Sequence, residues 1–126
     1  MPKKLTPVLY AAEIEPSVAF WVDRLGFNKT VEVPEGNVLG FAILQKDNIE
    51  LMYQSFTSAV KDAPSLAEFF QKGPSFLFVE VENLEEIITS AEGCKTAVER
   101  RTTPYGAKEY GVFDPAGHVI LFAQFG

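Results

Sequence analysis

Two glutamates, Glu50 and Glu80, sit in short runs whose other members are mostly apolar, and that setting offers a carboxylate two chemistries. Partly removed from water, a carboxylate holds a cation or a hydrogen-bond donor strongly. Burial also raises its pKa toward neutrality, where it can act as a general base. Side chains alternate across a strand, so each run has two faces. In the run from Ile49 to Gln54, Ile49, Leu51 and Tyr53 form the apolar set a helix should cover, which leaves Glu50, Met52 and Gln54 on the opposite face. The same alternation gathers Thr6, Val8 and Tyr10 in one run, Phe76, Phe78 and Glu80 in another, and Leu121 and Ala123 in the last. Together they read as an aromatic surface with two acids, suited to an aromatic or cationic small molecule. Equally, these side chains can fill a core, with the glutamates meeting Arg100 or Arg101.

Other reactive groups are few. His118, the only histidine, falls in a turn on the wrong side of the alternation and reads as a surface or turn residue. Cys94 is the only cysteine, which excludes an internal disulfide and fits a reducing compartment. No nucleophile elbow or glycine-rich cofactor loop is present, so no cofactor is expected. The formal charge of −6 argues against nucleic acid or an anionic membrane, both of which need clustered Lys and Arg. The N-terminal residues lack the apolar stretch of a secretory signal, and no run approaches the ~20 apolar residues of a membrane span. The expected location is the cytoplasm.

The elements that must position these residues follow from period and punctuation. A length of 126 residues, 47% hydrophobic with eleven Phe, fits one well-packed domain. Residues 5–11 read as a strand, and 16–25 as a helix opened by Pro16 and closed by Gly26. Val18, Trp21, Val22 and Leu25 form its apolar stripe, which makes Trp21 a core residue. Strands follow at 27–33, 39–45 and 49–53, separated by the turn signals Pro34-Glu35-Gly36-Asn37 and Lys46-Asp47-Asn48. A polar stretch, 55–63, leads into a short helix at 64–71. The order then repeats: strand 76–81, helix 84–91 capped by Asn83 and ended near Gly93, and strands 95–101, 108–113 and 119–124. The offset is about 70 residues, with sparse identities such as Gln54 with Gln124. This gives a single domain, 1–126, made of a module at about 4–55, a linker with a short helix at about 56–74 and a second module at about 75–126.

Two segments carry a family resemblance. Ser17-Val18-Ala19-Phe20-Trp21 with Leu25-Gly26-Phe27 is similar to the serine, aromatic pair and Leu-Gly-Phe of the vicinal-oxygen-chelate superfamily, the glyoxalase and bleomycin-resistance fold. Gly106 to Phe113, followed by Asp114-Pro115-Ala116-Gly117, resembles that family's glycine turn, penultimate strand and hairpin. The hairpin also makes physical sense alone: Asp114 accepts backbone hydrogen bonds, Pro115 fixes a turn position and Gly117 supplies a positive φ. The resemblance implies an α+β fold of two βαβββ modules in tandem, a curled mixed sheet around a cavity with helices outside. The candidate ligand-binding residues named above would line that cavity.

In metal-dependent relatives four ligands come from the first and last strands of each module. The resemblance places those positions on Thr6, Phe76, Leu121 and a residue of the Ile49 to Gln54 run. Alternation favours Glu50 there, whereas matching Gln54 with Gln124 would put Leu51 opposite Leu121. Phe and Leu have no lone pair to give, and one carboxylate beside a threonine falls short of a catalytic zinc's three protein ligands. No metal is therefore expected, and a bleomycin-resistance-like homodimer that sequesters a small organic ligand is the leading reading. A metal-independent enzyme using Glu50 or Glu80 as general base, and a structural or regulatory dimer with a filled barrel, are the alternatives.

Overall fold

The computed structural model describes residues 2–126. The chain divides into two compact units, one ending at Gly73 and one beginning at Pro74. In the first, β1 (Val8–Ala11) leads to α1 (Glu15–Ala19), which widens into a π-helical turn over Phe20–Arg24. Then come β2 (Asn28–Glu35), β3 (Val38–Lys46), β4 (Ile49–Ser55), α2 (Phe56–Asp62), a 3-10 turn at Pro64–Leu66 and α3 (Ala67–Phe70). The second unit holds β5 (Phe76–Glu80), α4 (Leu84–Ser90), β6 (Thr96–Thr102), β7 (Lys108–Phe113) and β8 (Val119–Gln124). The sheets run β1-β4-β3-β2 and β5-β8-β7-β6, each with one parallel pair at the β1 or β5 edge. The class is α+β, two βαβββ modules in tandem, as the repeated element order required. Neither four-stranded sheet closes into a barrel.

The helix in the first unit is fixed at both ends. Glu15 Oε2 accepts from Leu39 N at 2.8 Å, and Lys46 Nζ donates to Leu25 O at 3.1 Å. Gly26, at φ +74°, then turns the chain into β2. Val18, Trp21 and Leu25 of this helix are buried, as are Leu9, Leu44, Leu51 and Tyr53 on the strands. Trp21 is core: its Nε1 donates to Tyr53 OH at 2.9 Å, and its ring meets Phe20 and Phe27 edge-on. Ser17, wholly buried on the same helix, has no hydrogen-bond partner for its hydroxyl among the described residues. Removing a buried, unpaired polar group of nearly the same shape relieves a desolvation cost of about 1–3 kcal/mol. Ser17→Ala is therefore expected to raise the urea midpoint of the native protein.

Some expectations need correction. The polar stretch 55–63 is itself mostly helical, as α2, with Ser55 Oγ accepting from Ser58 N at 3.1 Å and Ala59 fully buried. The first strand is shorter than 5–11, because Pro7 has no N–H to give a ladder and Leu5 is 90% exposed. His118 is not a surface residue: it is 4% exposed, and its Nδ1 accepts from Ser75 N at 2.7 Å. The turn before it is built as expected. Asp114 Oδ1 accepts from Ala116 N and His118 N at 3.0 and 2.8 Å, and Gly117 has φ +92°. Gln54 and Gln124 are not equivalent either. β1–β4 pairs Val8 with Met52, while β5–β8 pairs Phe78 with Leu121, an offset of 69 on the second strand (121 minus 52) against 70 on the first (78 minus 8). That slip of one residue turns the two glutamines to opposite faces.

Candidate functional site

On the first sheet, the face away from α1 carries Val8 and Tyr10 beside Met52 and Gln54, with Phe41 and Ile43 level with them on β3. All are half-buried. Glu50 follows two residues before Met52 and so shares this face, which settles the alternation in favour of Glu50 over Leu51. Thr6 joins it by donating from Oγ1 to Glu50 Oε1 at 3.0 Å. The five candidates Thr6, Val8, Tyr10, Glu50 and Met52 are thus neighbours. Tyr10 is partly covered, its ring 4.7 Å from that of Phe70 in α3. Burial, with Asp62 adding, pushes its phenol pKa up.

Glu50 is already occupied. Lys4 Nζ lies 2.8 Å from Oε2, and that hydrogen bond, followed by the one from Thr6, holds the carboxyl below its ordinary value. A lowered pKa keeps Glu50 ionised and makes it a weak proton acceptor. Because the folded value is depressed, its contribution to stability is present above the unfolded pKa and is lost as pH falls through the folded one. Glu50→Gln is accordingly expected to be less stable than the native chain near neutral pH. The gap should close as acid protonates Glu50, and urea titrations across the acid limb would measure it.

On the second sheet, Phe76, Phe78 and Glu80 of β5 lie level with Val119, Leu121 and Ala123 of β8. The candidates from these strands therefore also share a face. The two phenylalanines are 59% and 50% exposed, whereas Leu121 and Ala123 are buried. Neighbouring β7 adds Gly111 opposite Leu121 and Glu109 opposite Ala123. A Cβ on Gly111 would come within 3.2 Å of Val98 Cβ and 3.3 Å of Leu121 Cδ1, so the glycine lets the flanking side chains close over the strand.

Glu109 is the residue that sequence reasoning missed. Its side chain is fully buried, with Arg101 Nε donating to Oε1 at 2.8 Å and Tyr105 OH donating to Oε2 at 2.9 Å. Arg101 and Tyr105 themselves are more than half exposed. The signal was available: counting alternation through β7 from Phe113 puts Gly111 and Glu109 on the face of Leu121 and Ala123. Phe125 extends this surface, its ring 6.3 Å from Phe78 and 6.1 Å from Tyr105. Arg100, on the opposite side of β6 from Arg101, is taken by Glu85 through two hydrogen bonds.

The residues do not fit the family's metal. Phe76 and Leu121, at two of the four positions, offer no donor atom. Among the described residues no three His, Cys, Asp or Glu side chains gather to hold an ion. A shallow groove of about 290 Å³ beside α1, lined by Glu15, Val18, Val22, Lys29 and Leu39, contains none of the candidates. Among the described residues no helix is long and apolar enough to cross a membrane.

Comparison with known proteins agrees with the architecture. Lactoylglutathione lyase from Agrobacterium tumefaciens superposes with a TM-score of 0.76 at 18% identity, over 98% of this chain and 95% of that one. TioX from Micromonospora sp. ML1 gives 0.74 at 17%, over 99% and 100%. The bleomycin-binding protein from bleomycin-producing Streptomyces verticillus, complexed with copper(II)-bleomycin, gives 0.64 at 25%, over 100% and 99%. No curated protein matches the sequence. Residues 5–122 match the Glyoxalase/Bleomycin resistance protein/Dioxygenase superfamily, and with the two βαβββ modules this establishes that the chain belongs to that superfamily.

Proposed function

We propose that the protein binds an aromatic small molecule, an antibiotic or metabolite, without a metal ion and sequesters it rather than transforming it. The observation that carries this reading is the pairing of half-exposed rings, Phe76 and Phe78, with non-donor side chains at the family's metal positions. Exposed rings on a sheet face supply stacking area that a soluble protein otherwise hides. The bleomycin complex of the Streptomyces verticillus protein supports a sequestering role. On the second sheet the candidates Leu121 and Ala123 adjoin those rings, and on the first the candidates Thr6, Val8, Tyr10 and Met52 form a face of their own.

Of the two acids, Glu50 is neutralised by Lys4, which weakens both a cation site and a general base at that position. Glu80 is exposed and is the acid left to meet a cationic group on a ligand. We propose a homodimer in the cytoplasm, where the half-buried thiol of Cys94 would stay reduced. Titrating tyrosine and Trp21 fluorescence with a panel of planar aromatic compounds of both charges, alongside sedimentation, tests this reading. Saturable binding that survives exhaustive chelation is expected, and a strict monomer that binds no member of the panel would defeat it.

A further inference from the structure

We propose that Arg101 is an anion-recognising group and that the ligand of the second sheet is an aromatic acid. This rests on the reading of the protein as a binder of small aromatic molecules and names the chemistry that one face of it selects.

A fully buried carboxylate is costly unless it is paired, and an apolar residue of similar size would be at least as stabilising in the same place. Glu109 therefore has a role beyond filling volume. Both of its partners are exposed side chains, so the buried anion fixes two groups that face solvent. Arg101 places Nε and Nη2 on a single oxygen, Oε1, each at 2.8 Å. Its Nη1 has no protein partner among the described residues. A guanidinium held along one edge presents its remaining N–H groups in a fixed direction, and a planar fork of this kind matches a carboxylate. Pre-orientation lowers the entropy lost on binding.

The surroundings supply the rest of the ligand. Tyr105, held at its hydroxyl by Glu109, continues through Phe125 to Phe78 as a chain of rings 63%, 42% and 50% exposed. An aromatic body can lie along those rings with its acidic group at Arg101. The other nearby charge, Glu80, is separated from Arg101 by β8 and β7 in the same sheet. It rejects an anion at the far end and thereby sets the ligand's direction.

The test uses the native protein with naphthoate, naphthamide and naphthylmethylammonium, followed by calorimetry or ligand-observed NMR. Naphthoate is expected to bind about tenfold more tightly than naphthamide, the worth of one charge-assisted hydrogen bond. Arg101→Gln combined with Glu109→Gln leaves no buried charge to unfold the site and should abolish the preference for the acid. Equal binding of all three probes, preference for the ammonium, or a preference that survives in the double variant would overturn the assignment of Arg101 while leaving aromatic binding intact. Failure of every probe to bind would overturn both.

Discussion

Arg101→Ala is expected to destabilise the protein by about 3 kcal/mol, at the low end of the range for breaking a buried ion pair. The low end applies because the guanidinium is 54% exposed and water already screens part of the attraction. The cost comes from what is left behind. Glu109, with no exposed surface, keeps only the Tyr105 hydroxyl as a donor of those seen in the structure. Adding Glu109→Gln to the same chain should therefore recover most of the loss, because a neutral amide in that position needs no counter-charge. Denaturant titration of the single and double variants measures the coupling directly. If Arg101→Ala cost no more than an ordinary surface substitution, the pair would be a crossing of two side chains and not an anchor.

Trp21→Ala is the second large effect, expected to cost about 3–5 kcal/mol. It should lower the thermal midpoint by about 10–15 °C in a chain of this size. Trp21 is 2% exposed and contacts Phe20, Phe27 and Tyr53, so its removal opens a void that edge-on rings cannot collapse into without leaving their rotamers. Tyr53→Phe separates the polar part of this effect. It keeps the ring and leaves the indole N–H without the partner it has at 2.9 Å, for a loss of about 1–2 kcal/mol. Circular dichroism on heating would distinguish the two: a Trp21→Ala change as small as that of Tyr53→Phe would mean that the hydrogen bond and not the packing holds the helix to the sheet.

The parts of the fold legible in sequence were those set by local rules. β7 and β8 have the boundaries their alternation predicts, Asn83 Oδ1 accepts from Glu86 N as a cap, and Asp114 organises its turn. The split of β4 into a Leu51 and Tyr53 face and a Glu50 and Met52 face followed from period alone. α2 escaped because Thr57, Lys61 and Asp62 make it polar, although Phe56, Ala59 and Val60 recur at helical spacing. The partners of the acids were out of reach for a different reason. Lys4 and Glu50 are 46 positions apart (50 minus 4), and nothing in either local run encodes the meeting. Glu109 lay between those cases: its face was readable by alternation, but its burial depends on Arg101 arriving from another strand.

The tie between His118 and Ser75 has a consequence for the order in which the second unit assembles. The Asp114 turn joins strands adjacent in the chain, so β7 and β8 can zip from contacts a few residues long, whereas Ser75 lies 43 residues from His118. Closing the longer loop carries the larger entropic cost. The hairpin is then the template and β5 the late arrival, captured when an imidazole already positioned by its turn accepts the first amide of the incoming segment. The molecule's only histidine is in this sense a latch on a strand, and the amide of Ser75 is the place where hydrogen exchange would record its closing.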